Sequence, residues 1–365
     1  MHLAFAGNRG RASRAVVELP PVGPWTRAIL WHGLAGPETL PRSPITQELD
    51  TILQQRLAPL ALDLFAGHDA PPAPVMAALR HSDFFWNTLS TSVMKSGHSV
   101  MRTLDSAGIP SLYFKGQSIR ESYRVPRHRV FSDVDLLVRR GDYKRARGLL
   151  NSVGWQEELR SQMPYDAMNV LCREAQNLKR GPGESVDLHH QIPPWLWTNR
   201  IRFDDVLADT RVSSAGRAMS PEWNLLVSSL HLVSDKSKPG QTLIIWRDLA
   251  ELSRVVDENR LVELAGSTGL TGWLRAILRA MPEPVRPQPL IDRLRDGRIL
   301  HRRRLSLLSN STLVVSRAPL VQLFRLPTPR AVLFAAGMAF PSPGLMNRRY
   351  GGPFTGYRAW WTGRE

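Results

Sequence analysis

The chain has 365 residues, 42% of them hydrophobic and 22% charged, with 11 Trp. This globular composition excludes wholesale disorder and suffices for two domains or one elaborated domain. Its formal charge of +16 and pI of about 10.9 come mostly from arginine; such a balance suits polyanionic partners or an Arg-rich solvated surface, and by itself selects no fold or site.

Cys172 is the only cysteine, so neither an intrachain disulfide nor a multi-thiolate zinc site can form, and a reducing cytoplasm is the expected location. The opening MHLAFAGNRGRASR places an apolar patch ahead of arginines, the reverse of a secretory leader. The most apolar stretch, Ala331 to Phe340, is about half of the roughly 20 residues that a bilayer requires. A protein without a transmembrane segment is expected.

Residues 1–70 read as a proline-rich arm, with Pro20, Pro21, Pro24, Pro37, Pro41 and Pro44 closely spaced. One helix is predicted there, from Pro44 to Phe65, where Ile45, Leu49, Ile52, Leu53, Leu57 and Leu60 recur at helical spacing. HDAPPAP (68–74) then reads as a linker. The span 71–200 reads as an α/β (α+β) core, and 201–365 as a helical C-terminal region.

Within the core, Val75 to Ala107 is helical in pattern, with Gly97 a candidate break and Gly108 a C-terminal cap. IPSLYFKG (109–116) predicts a strand, GQSIRESYR a short helix, and VFSDVDLLV (130–138) a second strand. GDYKRARGLLNSVG (141–154) predicts an amphipathic helix, WQEELR a third strand, and EAQNLKRGPGESVDLHHQI (174–192) a pair of strands around a GPGE turn. Beyond Ile192, helices are expected at 221–235 and 243–257, with another ending near Arg279 and one around Leu290 to Leu308.

The sharpest chemical feature is Asp133-Val134-Asp135 in an apolar strand. Residues i and i+2 of a strand share a face, so two carboxylates would stand side by side. That arrangement calls for a compensating cation, unless the pair lies at a strand edge facing water. Val186-Asp187-Leu188-His189 places a third aspartate in an alternating strand; if the two strands are neighbours, three carboxylates cluster and could hold two metals. Upstream, Lys115-Gly116 ends a strand and opens a helix, a junction suited to a phosphate.

FKGQSIRESYRVPRHRVFSDVDLLV followed by VDLHHQI resembles the uncharacterised nucleotidyltransferase family of the polymerase-β-like superfamily. HLVSDKSKPGQTLIIWRDLAEL and the closing FPSPGLMNRRYG extend the resemblance over roughly residues 75 to 350. It implies a mixed sheet flanked by helices, with metal ligation and catalysis by Asp133, Asp135 and Asp187. Lys115, Gly116, Arg129 and Ser132 would lie on the nucleotide side. His231 and Asp248 match the family's helical motif without a defined role, and each has a bland reading as a core histidine and a cross-helix partner. His189 is a ligand candidate that could equally pack and hydrogen-bond in the sheet.

The cofactors implied are Mg²⁺ or Mn²⁺, with an NTP, ATP for preference, as co-substrate. The partner would be a hydroxyl acceptor: a small molecule, a peptide or protein, or an RNA end. Family analogy favours modified-peptide biosynthesis, and no motif indicates nucleic acid. The wider superfamily carries Gly-Ser where this chain has Gly116-Gln117, and many relatives carry Trp at the position of His190. The alternative is a binding protein that kept the fold, lost turnover and acts through its basic surface.

Overall fold

A computed structural model of the chain describes residues 19–35, 40–157, 168, 171–192, 200–213, 216–234, 243–295, 328–352 and 356–359. The N-terminal region supplies α1 (Pro24–Trp31), α2 (Leu49–Gln54) and α3 (Ala58–Ala66). Proline starts helices here: Pro24 and Pro59 sit in first turns, where the missing N–H has no partner to lose. The single helix expected over 44–65 is therefore a 3-10 turn at Ile45–Gln47 followed by α2 and α3, with the chain turning at Arg56 between them.

Next comes α4 (Ala73–Ser106), which runs through Gly97 without a break. The glycine serves close packing instead: a Cβ there would meet Val134 Cγ1 at 2.8 Å and the Tyr113 ring at 3.0 Å. The core continues as β1 (Ser111–Phe114), α5 (Gly116–Arg120), β2 (Val134–Val138), α6 (Tyr143–Ser152), β3 (Gln156–Glu157), β4 (Ala175–Gly181) and β5 (Glu184–His189). After α7 (Phe203–Ala208), a short hairpin of β6 (Arg211–Ser213) and β7 (Gly216–Ala218) follows, which the sequence pattern did not reveal.

Helices α8 (Pro221–Ser234), α9 (Leu243–Ser253), α10 (Glu258–Ser267), α11 (Thr271–Arg279) and α12 (Gln288–Arg293) come next, then α13 (Thr328–Ala339) and α14 (Pro343–Tyr350). The second half of WQEELR, PPWLW (193–197), the 235–242 part of the helical motif and everything between 296 and 327 lie outside the described residues. No described helix is long and apolar enough to cross a membrane.

The seven described strands form one mixed sheet in the order β3-β4-β5-β2-β1-β7-β6. Strand β2 is antiparallel to β1 and parallel to β5, and it lies between them. The period-2 alternation of these strands decides which layer each residue joins. Tyr113, Val134, Leu136, Val138, Val186 and Leu188 point to one face and pack with Val93, Val100 and Leu104 of α4 and with Ala146 and Leu150 of α6. Leu112, Phe114 and Leu137 point to the other face, into a second core built from α1–α3 and α8–α12.

That second core is what buries one face of each of α1, α2 and α3. Ile29, Leu30, Ile52, Leu57, Leu60 and Ala61 are all fully buried, in the same cluster as Trp246, Leu249, Trp273 and Ile277. Arg247 of α9 fastens the joint, donating through Nη1 to the carbonyls of Leu30 and His32 at 2.8 Å each, with Glu251 balancing its charge. The polar residues Asp135, Asp187 and His189 share this helix-covered face, since they alternate with the apolar set of β2 and β5.

Candidate active site

The site forms where β2 and β5 run side by side. Asp135 and Asp187 are direct register partners across this parallel pair, and His189 follows Asp187 by two residues on the same face. One ligand atom from each of the three lies within 4.8 Å of the others, a group able to hold a metal ion. His189 Nε2 is 2.9 Å from Asp135 Oδ1, and its ring packs edge-on to Phe114 at 4.7 Å. Asn177, opposite Asp187 on β4, donates to Asp187 Oδ1 at 2.7 Å.

Lys115 comes to the same point from β1. Its Nζ is 3.0 Å from Asp135 Oδ1. The residue joins β1 to α5 with φ 58° and ψ −135°, a conformation that disfavours any side chain bearing a Cβ. Tertiary contacts hold the turn in place. Asn224 of α8 accepts from the Lys115 N–H at 3.2 Å and donates to Ser118 Oγ at 2.7 Å and to the Met219 carbonyl at 3.0 Å. A Cβ on Gly116 would meet Phe131 at 3.2 Å, so the glycine lets this turn close on the segment before β2.

The electrostatics of the two carboxylates diverge. Burial pushes the Asp135 carboxyl up, but the Lys115 charge and the His189 and Lys115 hydrogen bonds overcome it and hold the group well below the usual carboxylate range. Asp187 moves the other way: burial and the facing Asp135 charge raise it, against the opposing Asn177 hydrogen bond. Two carboxylates in register, one of them destabilised as an anion by the other, form a site that a divalent cation would relieve. The donor set of two carboxylates and an imidazole fits such an ion.

Asp133 lies just before β2, in a bend instead of in the strand. It lines the cleft with Asp135 and Asp187 but stands outside the Asp135–Asp187–His189 group. Ser132 Oγ is 3.5 Å from its Oδ1. Ser90 of α4 steadies this segment by donating to the Phe131 carbonyl and accepting from the Phe131 N–H, both at 2.9 Å.

Arg129 and Asp248 meet each other in the helical layer. Arg129 Nε and Nη2 donate to the two oxygens of Asp248 at 2.7 and 2.9 Å, and Tyr123 donates to Oδ1 at 2.6 Å. Both ionic groups are nearly sealed from solvent. Burial raises the Asp248 carboxyl, with Arg129 and the two hydrogen bonds pulling against it. Asp248 is thus the cross-helix partner of Arg129, whose guanidinium spends two donors on that carboxylate and one on the Val130 carbonyl.

The cleft over the carboxylates encloses about 200 Å³. Its acidic wall comes from the sheet, and its opposite wall from Ser228 and His231 of α8, Ile244 and Ile245 of α9, and Arg56 after α2. Sequence reading missed Arg56, Asn224, Asn177 and Ser90. Asn224 alone left a trace, as a buried amide early in the apolar run NLLVSSL; the others become neighbours only on folding.

The antibiotic-resistance factor ANT(2″)-Ia is 14% identical over 49% of this chain and 91% of its own, with a TM-score of 0.34. An antigenic nucleotidyltransferase-like protein from Paracoccidioides brasiliensis is 20% identical over 52% of this chain and 92% of its own, with a TM-score of 0.32. No curated protein matches the chain. The family model described as uncharacterised nucleotidyltransferase matches residues 45–309, and the chain belongs to that family.

Proposed function

We propose that the protein transfers a nucleoside monophosphate from a nucleoside triphosphate, ATP for preference, to a hydroxyl acceptor, releasing pyrophosphate. The observation that carries this reading is the in-register pair Asp135 and Asp187, with His189 beside them, at the floor of a cleft entered by the strained Lys115 turn. Asp135, Asp187 and His189 would hold Mg²⁺ or Mn²⁺, with Asp133 lining the cleft beside them. When bound, such an ion neutralises phosphate charge and acidifies a coordinated hydroxyl.

Lys115 holds Asp135 in place and carries a positive charge to the phosphates. Asp187, the carboxylate more ready to take a proton, accepts it from the acceptor hydroxyl. The acceptor oxygen bonds to the α-phosphorus as the bond to the bridging oxygen breaks, and pyrophosphate carries away that electron pair. The apolar Ile119, Ile244 and Ile245 line the cleft where a base or acceptor would pack. By family analogy the acceptor we favour is a peptide hydroxyl, with a small molecule and an RNA end as the other classes.

The test is calorimetric binding of each of the four NTPs with Mn²⁺ to wild type and to the Asp135→Asn/Asp187→Asn double variant. Metal-dependent binding of one NTP by wild type, weakened at least about a hundredfold in the variant, is the expected result; 1.4 kcal/mol corresponds to each tenfold. Equal binding by the two proteins would sink the assignment. A wild type that binds no NTP would favour a retired enzyme.

A further inference from the structure

Among the described residues only two that are not glycine have positive φ: Lys115 at 58° and Arg56 at 59°. Both line the same cleft. Arg56 follows the C-cap of α2, where the Leu57 N–H donates to the Ile52 carbonyl at 2.9 Å and the Arg56 N–H to the Leu53 carbonyl at 3.1 Å. This is the left-handed helix stop at which glycine is the usual residue, and a side chain with a Cβ there costs about 1 kcal/mol. Strain of this kind collects where a side chain is needed for function.

The side chain reaches into the cleft. Its guanidinium carbon sits 4.2 Å from the centre of the Trp86 ring, and Nη2 donates to Ser132 Oγ at 3.3 Å, one residue before Asp133. The other cations of the cleft are engaged by carboxylates: Lys115 by Asp135 and Arg129 by Asp248. Arg56 is held by a hydroxyl and a ring face, so most of its five N–H donors remain for a ligand. A guanidinium held over an indole is preorganised to grip phosphate oxygens in pairs. Burial and the nearby Arg129 disfavour its charge, with Asp133 compensating in part, so an anion arriving here gains a strong partner.

We infer that Arg56 docks the terminal phosphates of the nucleoside triphosphate, a role that rests on the nucleotidyl-transfer reading above. The N-terminal helices thereby contribute to the donor site, closing it opposite the sheet.

The test uses the full chain with Mn²⁺ in calorimetry, comparing wild type, Arg56→Gly and Arg56→Lys. The probes are inorganic tripolyphosphate, the four NTPs and the corresponding NMPs. Because glycine relieves the left-handed backbone, Arg56→Gly should melt at or above the wild-type temperature. It should bind tripolyphosphate and the preferred NTP at least tenfold more weakly while binding the NMP within twofold of wild type, with Arg56→Lys in between. Unchanged tripolyphosphate and NTP binding in Arg56→Gly overturns the inference alone. Equal weakening of NMP and NTP, or a lowered melting temperature, makes Arg56 a structural clamp and overturns it too. A wild type silent to every NTP and to tripolyphosphate overturns the nucleotidyl-transfer reading and this inference together.

Discussion

Two buried ionic centres lie on the walls of one cleft, and they use similar ingredients differently. In the helical wall, Arg129 and Asp248 meet through two hydrogen bonds, and Tyr123 and the Val130 carbonyl take up further capacity. In the sheet wall, Lys115 and His189 both converge on one oxygen of Asp135, while Asp187 stands opposite with an amide for company. The first centre is sealed and balanced. The second carries an excess of carboxylate next to a strained turn. A charge matched on every side does structural work, whereas one left partly uncompensated at a cleft is ready for a ligand.

That contrast predicts opposite responses to substitution. Removing Asp248 strands the Arg129 guanidinium in the core. Asp248→Ala should lower stability by about 3–5 kcal/mol, read as a shift of the urea midpoint. Removing Asp187 relieves repulsion with Asp135, so Asp187→Asn should leave the midpoint equal or higher while abolishing metal-dependent NTP binding. If Asp187→Asn destabilised the fold as much as Asp248→Ala, the two centres would be alike and the contrast would fail.

A second prediction concerns His128, which enters the sealed wall one residue before Arg129. Burial lowers it to about 4 from an ordinary 6.5, with Arg247, Arg127 and His32 reinforcing the shift and Asp63 opposing it. Between pH 6.5 and 4 the unfolded chain holds this proton and the folded one does not. Stability should therefore be complete above pH 6.5 and fall on acidification through that window, by on the order of 2 kcal/mol. His128→Gln should flatten the decline between pH 6.5 and 4.5; an unchanged slope would place its origin elsewhere.

The smallest effect is expected at Asn224, which ties the sheet wall to α8. Asn224→Ala removes three hydrogen bonds around the Lys115 turn and should cost roughly 1–2 kcal/mol of stability. It should also weaken NTP binding in the folded protein. A stability loss with unaltered NTP affinity would show that Lys115 keeps its place without Asn224.

The linear chain held much of the core in readable form. Strict polar–apolar alternation in SVDLH made its two faces readable before any strand was paired, because strand geometry forces a period of two. The GPGE turn, the amphipathic helix over 143–152 and the glycine-closed turn at Lys115-Gly116 were legible for the same local reason. Prolines misled, since the spacing of Pro20 to Pro44 reads as a broken arm while proline in a first helical turn starts a helix. Gly97 misled similarly: only the approach of α4 to Val134 shows that the position needs a small residue.

Sequence by itself determined the periodic elements, the common face of Asp187 and His189 two residues apart on one strand, and the family to which the motifs point. All of these depend on residues a few positions apart. Tertiary structure alone decided that β2 and β5 are neighbours with Asp135 opposite Asp187, that Arg129 belongs to Asp248, and that Arg56 reaches the cleft from the far end of the chain. Those contacts join residues 52 to 119 positions apart (135 with 187, 129 with 248, 56 with 132). No local pattern encodes such pairings; burial of the two apolar cores on either side of the sheet brings them together.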